Sequence, residues 1–230
     1  MLSANEIAAL HDRLTRAWHQ APGEPGEAAP PSADAVLQAN PEAKPGTNSG
    51  AQPQTAQDWL SLVARQHRAN FDLWHIEDQA RAPGVSDAEL AEVKRRVDRT
   101  NQQRNDLAEE LDRALLGWLE TQGLPNPEAE LHSETPGLII DRLSILALKI
   151  YHTREETGRA DAPPGHAERN RERLAILEQQ RADLAGCLDR LWRETLKGTR
   201  RFKLYRQLKM YNDPSLNPAI YSKLRQEPGR

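Results

Sequence analysis

The chain has 230 residues, 28% of them charged and only 5% aromatic, with a formal net charge of −3. That length suits one large domain or two small ones, and the composition favours a soluble, helix-rich protein over a β-sandwich. No apolar run approaches the ~20 residues that span a bilayer, the amino-terminal stretch lacks a signal peptide's apolar centre and cleavage site, and a single cysteine, Cys187, excludes an internal disulfide framework, so the chain reads as cytoplasmic.

Ser3 with Glu6 forms a capping-box pattern, and Ile7, Leu10, Leu14 and Trp18 follow at helical spacing, which predicts a short amphipathic helix over residues 1–20 that packs on the rest. From Ala21 to Gln54 the chain is rich in Pro, Gly, Ala, Ser and Asn, too poor in large apolar residues to offset its ordering entropy, and reads as a flexible linker. The domain proper spans 55–221. Its first helix runs from about Thr55 to Ala82 and stops at Pro83-Gly84. The second opens at Ser86, paired with Glu89 in a capping box, and runs to about Gln122 along Leu90, Val93, Val97, Leu107, Leu111, Leu115 and Trp118. The third, from Gly137 to about Thr157, is entered through Thr135-Pro136 and is apolar nearly all round, so it belongs inside. The fourth runs from about Ala167 to Lys197 along Leu174, Leu177, Leu184, Leu188, Leu191 and Trp192, and Gly198 stops it. Short connections make successive helices antiparallel neighbours, so the expected fold is all-α, an antiparallel four-helix bundle with the amino-terminal helix added. No stretch reads as a strand.

The tail from Thr199 is expected to be a basic helix or an extended segment packing on the bundle, with residues 222–230 disordered. From Lys197 to Arg230 nine Lys or Arg outnumber two acids, leaving +7 there and therefore −10 for the remainder. As a helix, TRRFKLYRQLKMY sets Leu204, Tyr205, Leu208 and Tyr211 opposite Lys203, Arg206 and Lys209. Such a segment docks on an acidic body or offers cations to phosphate and carboxylate. Nucleic acid is disfavoured, because a body of net −10 repels a long polyanion.

Each bundle helix carries polar groups on or beside its apolar stripe. Asn70, Glu77 and Arg81 share a stripe with Trp59, Val63, Leu73 and Trp74. Arg104, with Asn101 at its edge, interrupts the second helix's stripe, and Arg181, with Glu178, the fourth's. Asp141 and His152 share a side of the third. Buried charges must be paired, so these groups either satisfy one another and fix register or line a pocket for an anionic ligand. Reflecting helices through their loops levels His67 and Asn70 with Asn101 and Arg104, and sets Asp141 near Arg181.

Metal and enzyme signatures fail. Glu89-x-x-Glu92 and Glu109-x-x-Asp112 resemble the paired acidic motifs of helical nucleotide pyrophosphatases, but they lie on one helix, about 26 Å apart at 1.5 Å per residue. Asp72-x-x-His75 resembles half of a di-metal site without a second half, and both residues point off the core stripe toward the surface. No metal site or cofactor is expected.

The blocks QHRANFDLWHIEDQAR, RTNQQRNDLAEELD, SETPGLIIDRLSILALKIYHTREE, LEQQRADLAGCLD and RRFKLYRQLKMYNDPSLNPAIY resemble, in order, those of a bacterial family termed domain of unknown function DUF4254. The resemblance covers nearly all of Thr55–Tyr221 and is expected to include the amino-terminal Trp18-His19 helix, with the Ala21–Gln54 linker peculiar to this chain. It implies a helical fold, an association of some members with genes for surface-polysaccharide glycosyltransferases, and no established activity. The family's signature positions fall here on His67, Asn70, Trp74, His75, Glu77, Asp78, Arg81, Arg104, Asn105, Asp106, Asp141, Lys149, Arg181, Arg201, Lys203, Arg206, Lys209, Tyr211, Asn212 and Asp213.

Two readings result. In the first, a small phosphorylated or sugar-nucleotide ligand sits in the polar interior, held by Asn70, Arg81, Asn101, Arg104, Lys149, Arg181, Lys203, Arg206, Lys209 and Tyr211. His67, Glu77, Asp78 and Asp141 then orient it or move protons. In the second, the chain is a non-enzymatic adaptor whose tail grips a protein partner such as a glycosyltransferase. Neither reading fixes an oligomeric state.

Overall fold

The computed structural model describes residues 3–20, 56–208 and 215–218; the linker, Lys209, Tyr211 and the segment 222–230 lie outside them. Five helices make up the described fold: α1 (Ala4–Gln20), α2 (Ala56–Gln79), α3 (Asp87–Glu120), α4 (Pro136–Thr157) and α5 (His166–Leu196). The fold is all-α, with one two-residue exception noted below.

Their ends follow from local chemistry. Ser3 and Glu6 exchange hydrogen bonds at the start of α1, as Ser86 and Glu89 do at α3. Thr135 caps α4 ahead of Pro136, which has no N–H to leave unpaired there. Gly198, at φ 69°, turns the chain out of α5.

α4 touches all four other helices, which accounts for its apolar circumference. Facing pairs set the directions. Thr15 meets His67 while His19 meets His75, so α1 runs parallel to α2. Asn70 meets Asp141 while Trp74 meets His152, so α2 runs parallel to α4. Arg65–Glu110 and Arg96–Gln79 set α3 antiparallel to α2, and Ala4–Asp189 with Asp12–Arg181 sets α5 antiparallel to α1.

The order of the helices departs from expectation. Among the described residues α2 and α5 do not touch; α1 lies between them and packs on α2, α4 and α5. α1 is thus a structural member of the bundle, burying Ile7, Leu10, Leu14 and Trp18 to 4% exposure or less. Each such side chain contributes roughly 1.5–3 kcal/mol of transfer free energy.

The core is also shorter than the apolar stripes suggested. Leu90 and Trp118 are 45% and 39% exposed, and Leu174 and Leu177 are only half-buried. Between Val93 and Leu107 nothing on α3 is buried, so this stretch stands off the core, whereas the start of α5 buries Asn170.

The tail is not helical through Leu208. Arg200–Arg201 pairs in parallel with Glu130–Leu131 as a two-residue ladder (β2 with β1), and the following residues are irregular. Backbone groups that a helix would have used are held instead by the 130–132 segment, as where Arg201 O accepts from His132 N. Phe202, 1% exposed, anchors this path in the core.

Candidate functional site

A connected polar cluster crosses the interior where α1, α2, α3 and α4 meet. His67 is fully buried; its Nε2 lies 2.9 Å from Thr15 Oγ1 of α1 and its Nδ1 2.7 Å from Ser144 Oγ of α4. Asn70 donates to Ser144 Oγ and to Asp141 Oδ1, both at 2.9 Å, and Gln66 donates to the same Oδ1 at 2.6 Å. The i, i+3/i+4 spacing of Gln66, His67 and Asn70 puts all three on the face of α2 that meets α4. The interior is polar at this level, as the interrupted stripes implied.

Arg104 completes the cluster from α3 with imperfect contacts. Its Nε lies 3.8 Å from Asp141 Oδ1, beyond hydrogen-bonding distance, and is buried without a partner. Its only side-chain hydrogen bond among the described residues is a long one, 3.4 Å from Nη2 to Asn105 Oδ1. Two amides donate to Asp141 Oδ1 and Arg104 Nε stands off it, while no hydrogen bond among the described residues engages Oδ2. Burial pushes the Asp141 carboxyl above its usual range, opposed by Arg104, Asn70 and Gln66; burial also holds His67 well below its ordinary value. Asn101 is half-buried on the stretch of α3 that stands off the bundle, so the cluster opens on that side, with Trp74 half-buried on α2.

The other expected site residues are dispersed. Glu77 and Arg81 pair with each other in an exposed i, i+4 bridge at 3.1 Å. Arg181 does not approach Asp141 as a partner: both oxygens of Asp12 take its Nη1 at 2.8 Å, since α1 lies between α5 and the cluster. Lys149, Lys203 and Arg206 are exposed, and Lys203 Nζ lies 5.4 Å from the Tyr205 ring. Asp78 is exposed one turn beyond His75. Of the two acidic motifs, Glu89 and Glu92 serve local bonds to Ser86, Arg95 and Arg99. Asp112 is buried, accepts from Thr135 Oγ1 and Gly137 N, and is pushed up to about 6 by burial.

Sequence reasoning missed one cluster. His75 is not turned to solvent; it lies half-buried against His19 of α1 and His152 of α4. The helical wheel of α2 alone assigned that side to water because nothing in α2 says that α1 covers it. The available signal was the single histidine near the carboxyl end of each of these three helices.

The fold and this interior define an all-α bundle built around a buried amide–carboxylate–imidazole network with a half-buried guanidinium at its edge. A model of the family described as "Protein of unknown function (DUF4254)" matches residues 60–204, and the chain belongs to that family. No curated protein and no solved structure matches it. None of the described helices is long and apolar enough to cross a membrane.

Proposed function

We propose that the chain binds a small phosphorylated or sugar-nucleotide ligand at the open edge of the Arg104–Asp141 cluster, in the service of surface-polysaccharide synthesis. The observation that carries the reading is Arg104. A guanidinium only 24% exposed, with a buried Nε that donates to nothing, is left short of the hydrogen bonds that would offset its burial. A phosphate at this edge would supply oxygens in the fork geometry a guanidinium prefers. Asp141 Oδ2, adjacent and unengaged among the described residues, suits a sugar hydroxyl. Cation and carboxylate side by side suit a ligand with both an anionic and a hydroxylated part. His67, sealed behind Asn70, positions the network and does not reach a ligand.

The test is a thermal-shift panel of nucleoside-diphosphate sugars, sugar phosphates and free sugars. A ligand at about 100 times its Kd adds about 2.7 kcal/mol, or roughly 5–11 °C for a chain of this size. Phosphorylated compounds should produce such a shift, and Arg104→Met should remove it. A flat response across the panel overturns the proposal. The adaptor reading draws on the exposed Lys203, Tyr205 and Arg206, on a segment pinned by Phe202 and by Gln207 N donating to Glu109 at 2.9 Å. It expects the reverse pattern: Lys203→Glu with Arg206→Glu abolishes function while Arg104→Met leaves it intact.

A further inference from the structure

Three histidines from three parallel helices converge at the carboxyl-terminal end of the α1–α2–α4 face. One ring nitrogen from each of His19, His75 and His152 lies within 4.8 Å of the corresponding atoms of the other two. The Nδ1 of every ring is already engaged. His19 Nδ1 lies 2.8 Å from Thr15 O, His75 Nδ1 2.8 Å from Phe71 O, and His152 Nδ1 3.1 Å from Glu155 Oε2. A backbone carbonyl only accepts, so His19 and His75 donate from Nδ1, and their neutral tautomers carry the lone pair on Nε2. The Nε2 atoms of His19 and His152 are buried and have no hydrogen-bond partner.

Packing explains why these rings are covered. Tyr151 stacks on His19 at 4.3 Å and Trp74 on His152 at 4.9 Å. Stacking does not explain why three rings, each tethered through Nδ1, each bring a nitrogen within 4.8 Å of the other two. Acceptor edges that face one another have no donor to share and lose the water they would otherwise bind. A cation between them removes that cost. We propose that His19, His75 and His152 form a binding site for a divalent transition metal of the Zn2+ class, with three imidazole ligands and a fourth position open to water or substrate.

The donor set fits. Imidazole suits Zn2+ and its neighbours in the transition series, and three protein nitrogens plus one free position is the arrangement of catalytic sites; structural zinc is closed by four protein ligands. The surrounding shell fits as well: ligating histidines donate their other N–H to a carbonyl or carboxylate, as all three rings are placed to do here. Bonds of 2.0–2.1 Å at tetrahedral angles need nitrogens about 3.3 Å apart, so the rings close inward by about 1 Å on binding. All three residues are half-buried while the Nε2 atoms of His19 and His152 are sealed from solvent, so the rings first part to admit the metal and its fourth ligand. Asp78, exposed one helical turn beyond His75, adds a negative charge near enough to act on His152. This inference is separate from the anion-binding reading, since Arg104 contributes nothing to it.

The full chain, freed of metal by chelation, is titrated with ZnCl2 by calorimetry and with CoCl2 by visible absorption. The expected result is one saturable equivalent, with the intense ligand-field bands of low-coordinate cobalt. His75→Gln and His152→Gln should each abolish it, and Glu155→Gln should weaken it by about 10- to 100-fold. Cys187→Ser, His132→Gln and Arg104→Met should leave it unchanged. Circular dichroism of the metal-free variants checks folding, and if one histidine variant unfolds, the other and Glu155→Gln carry the test. Absence of saturable binding, loss of binding in Cys187→Ser or His132→Gln, or unaltered binding in a folded His75→Gln or His152→Gln protein overturns the proposal.

Discussion

His11 is fully buried on α1, stacked at 4.5 Å on His67, and neither of its ring nitrogens has a hydrogen-bond partner. Burial first, and then the Arg181 charge, lower its pKa to about 3. In the unfolded chain a histidine titrates near ~6.5. The folded state therefore refuses a proton that the unfolded state accepts. The resulting stability is fully present above pH ~6.5 and is lost as pH falls toward 3, with about 2 kcal/mol gone by pH 5. His11→Leu, similar in volume, removes both the unpaired nitrogens and the titration. The variant should be more stable than the wild type at pH 7 by about 1–2 kcal/mol, and that advantage should widen by about 2 kcal/mol at pH 5. His67, also held below its ordinary value and in part by His11, is present in both proteins, so the difference between two urea-unfolding series reports His11 together with its coupling to His67. Equal stability and parallel pH profiles would refute this account of the ring.

Between elements, the tightest of the described glycines is Gly137, where the start of α4 crosses α3. A Cβ added at Gly137 would lie 2.3 Å from Ala108 O and 2.9 Å from the Asp112 carboxyl, atoms of a packed helix and of a buried cap that cannot move aside. Gly137→Ala should cost about 3 kcal/mol, the upper part of the usual overpacking range, and lower the melting midpoint by roughly 6–12 °C. Gly186 is the contrast: it is exposed in the middle of α5, with nothing within 4 Å of an added Cβ. Gly186→Ala should raise stability by up to ~1 kcal/mol through helix propensity alone. If both alanines act alike, the crossing is looser than these distances require. The helices themselves were legible, because Ser86, Thr135, Pro136 and Gly198 are local signals that act within a turn of where they stand. The tail was not: its i, i+4 apolar spacing in TRRFKLYRQL fits a helix, and the competing interaction, a ladder with Glu130–Leu131, comes from about 70 residues away.

At the scale of the whole molecule, what sequence could not supply was the place of α1. Asn70 and Arg104 were expected at one level, and both stand beside Asp141, because the short turn after α2 holds α2 and α3 in near register; that Asp141 is their common neighbour was not expected. The pairing of Arg181 with Asp141 failed, and the convergence of His19, His75 and His152 went unnoticed, for one reason. Nothing periodic in Ala21–Gln54 says where the amino-terminal helix returns, and it returns between α2 and α5. The family match begins at residue 60 and so omits this helix. The fold needs it nonetheless. Ile7, Leu10, Leu14 and Trp18 together bury enough to contribute about 6–12 kcal/mol of transfer free energy, comparable with the entire 5–15 kcal/mol stability of a typical domain. Thr15 also supplies the partner of His67 Nε2, and Asp12 that of Arg181. A chain beginning at residue 56 would therefore expose an apolar face and a buried imidazole at once. It should keep much of its far-ultraviolet helical signal but lose near-ultraviolet structure and cooperative urea unfolding, and a synthetic peptide of residues 1–20 added in excess should restore both. A truncated chain that unfolds in one sharp transition, with the midpoint and slope of the full protein, would show that α1 is an appendage and that α2–α5 fold without it.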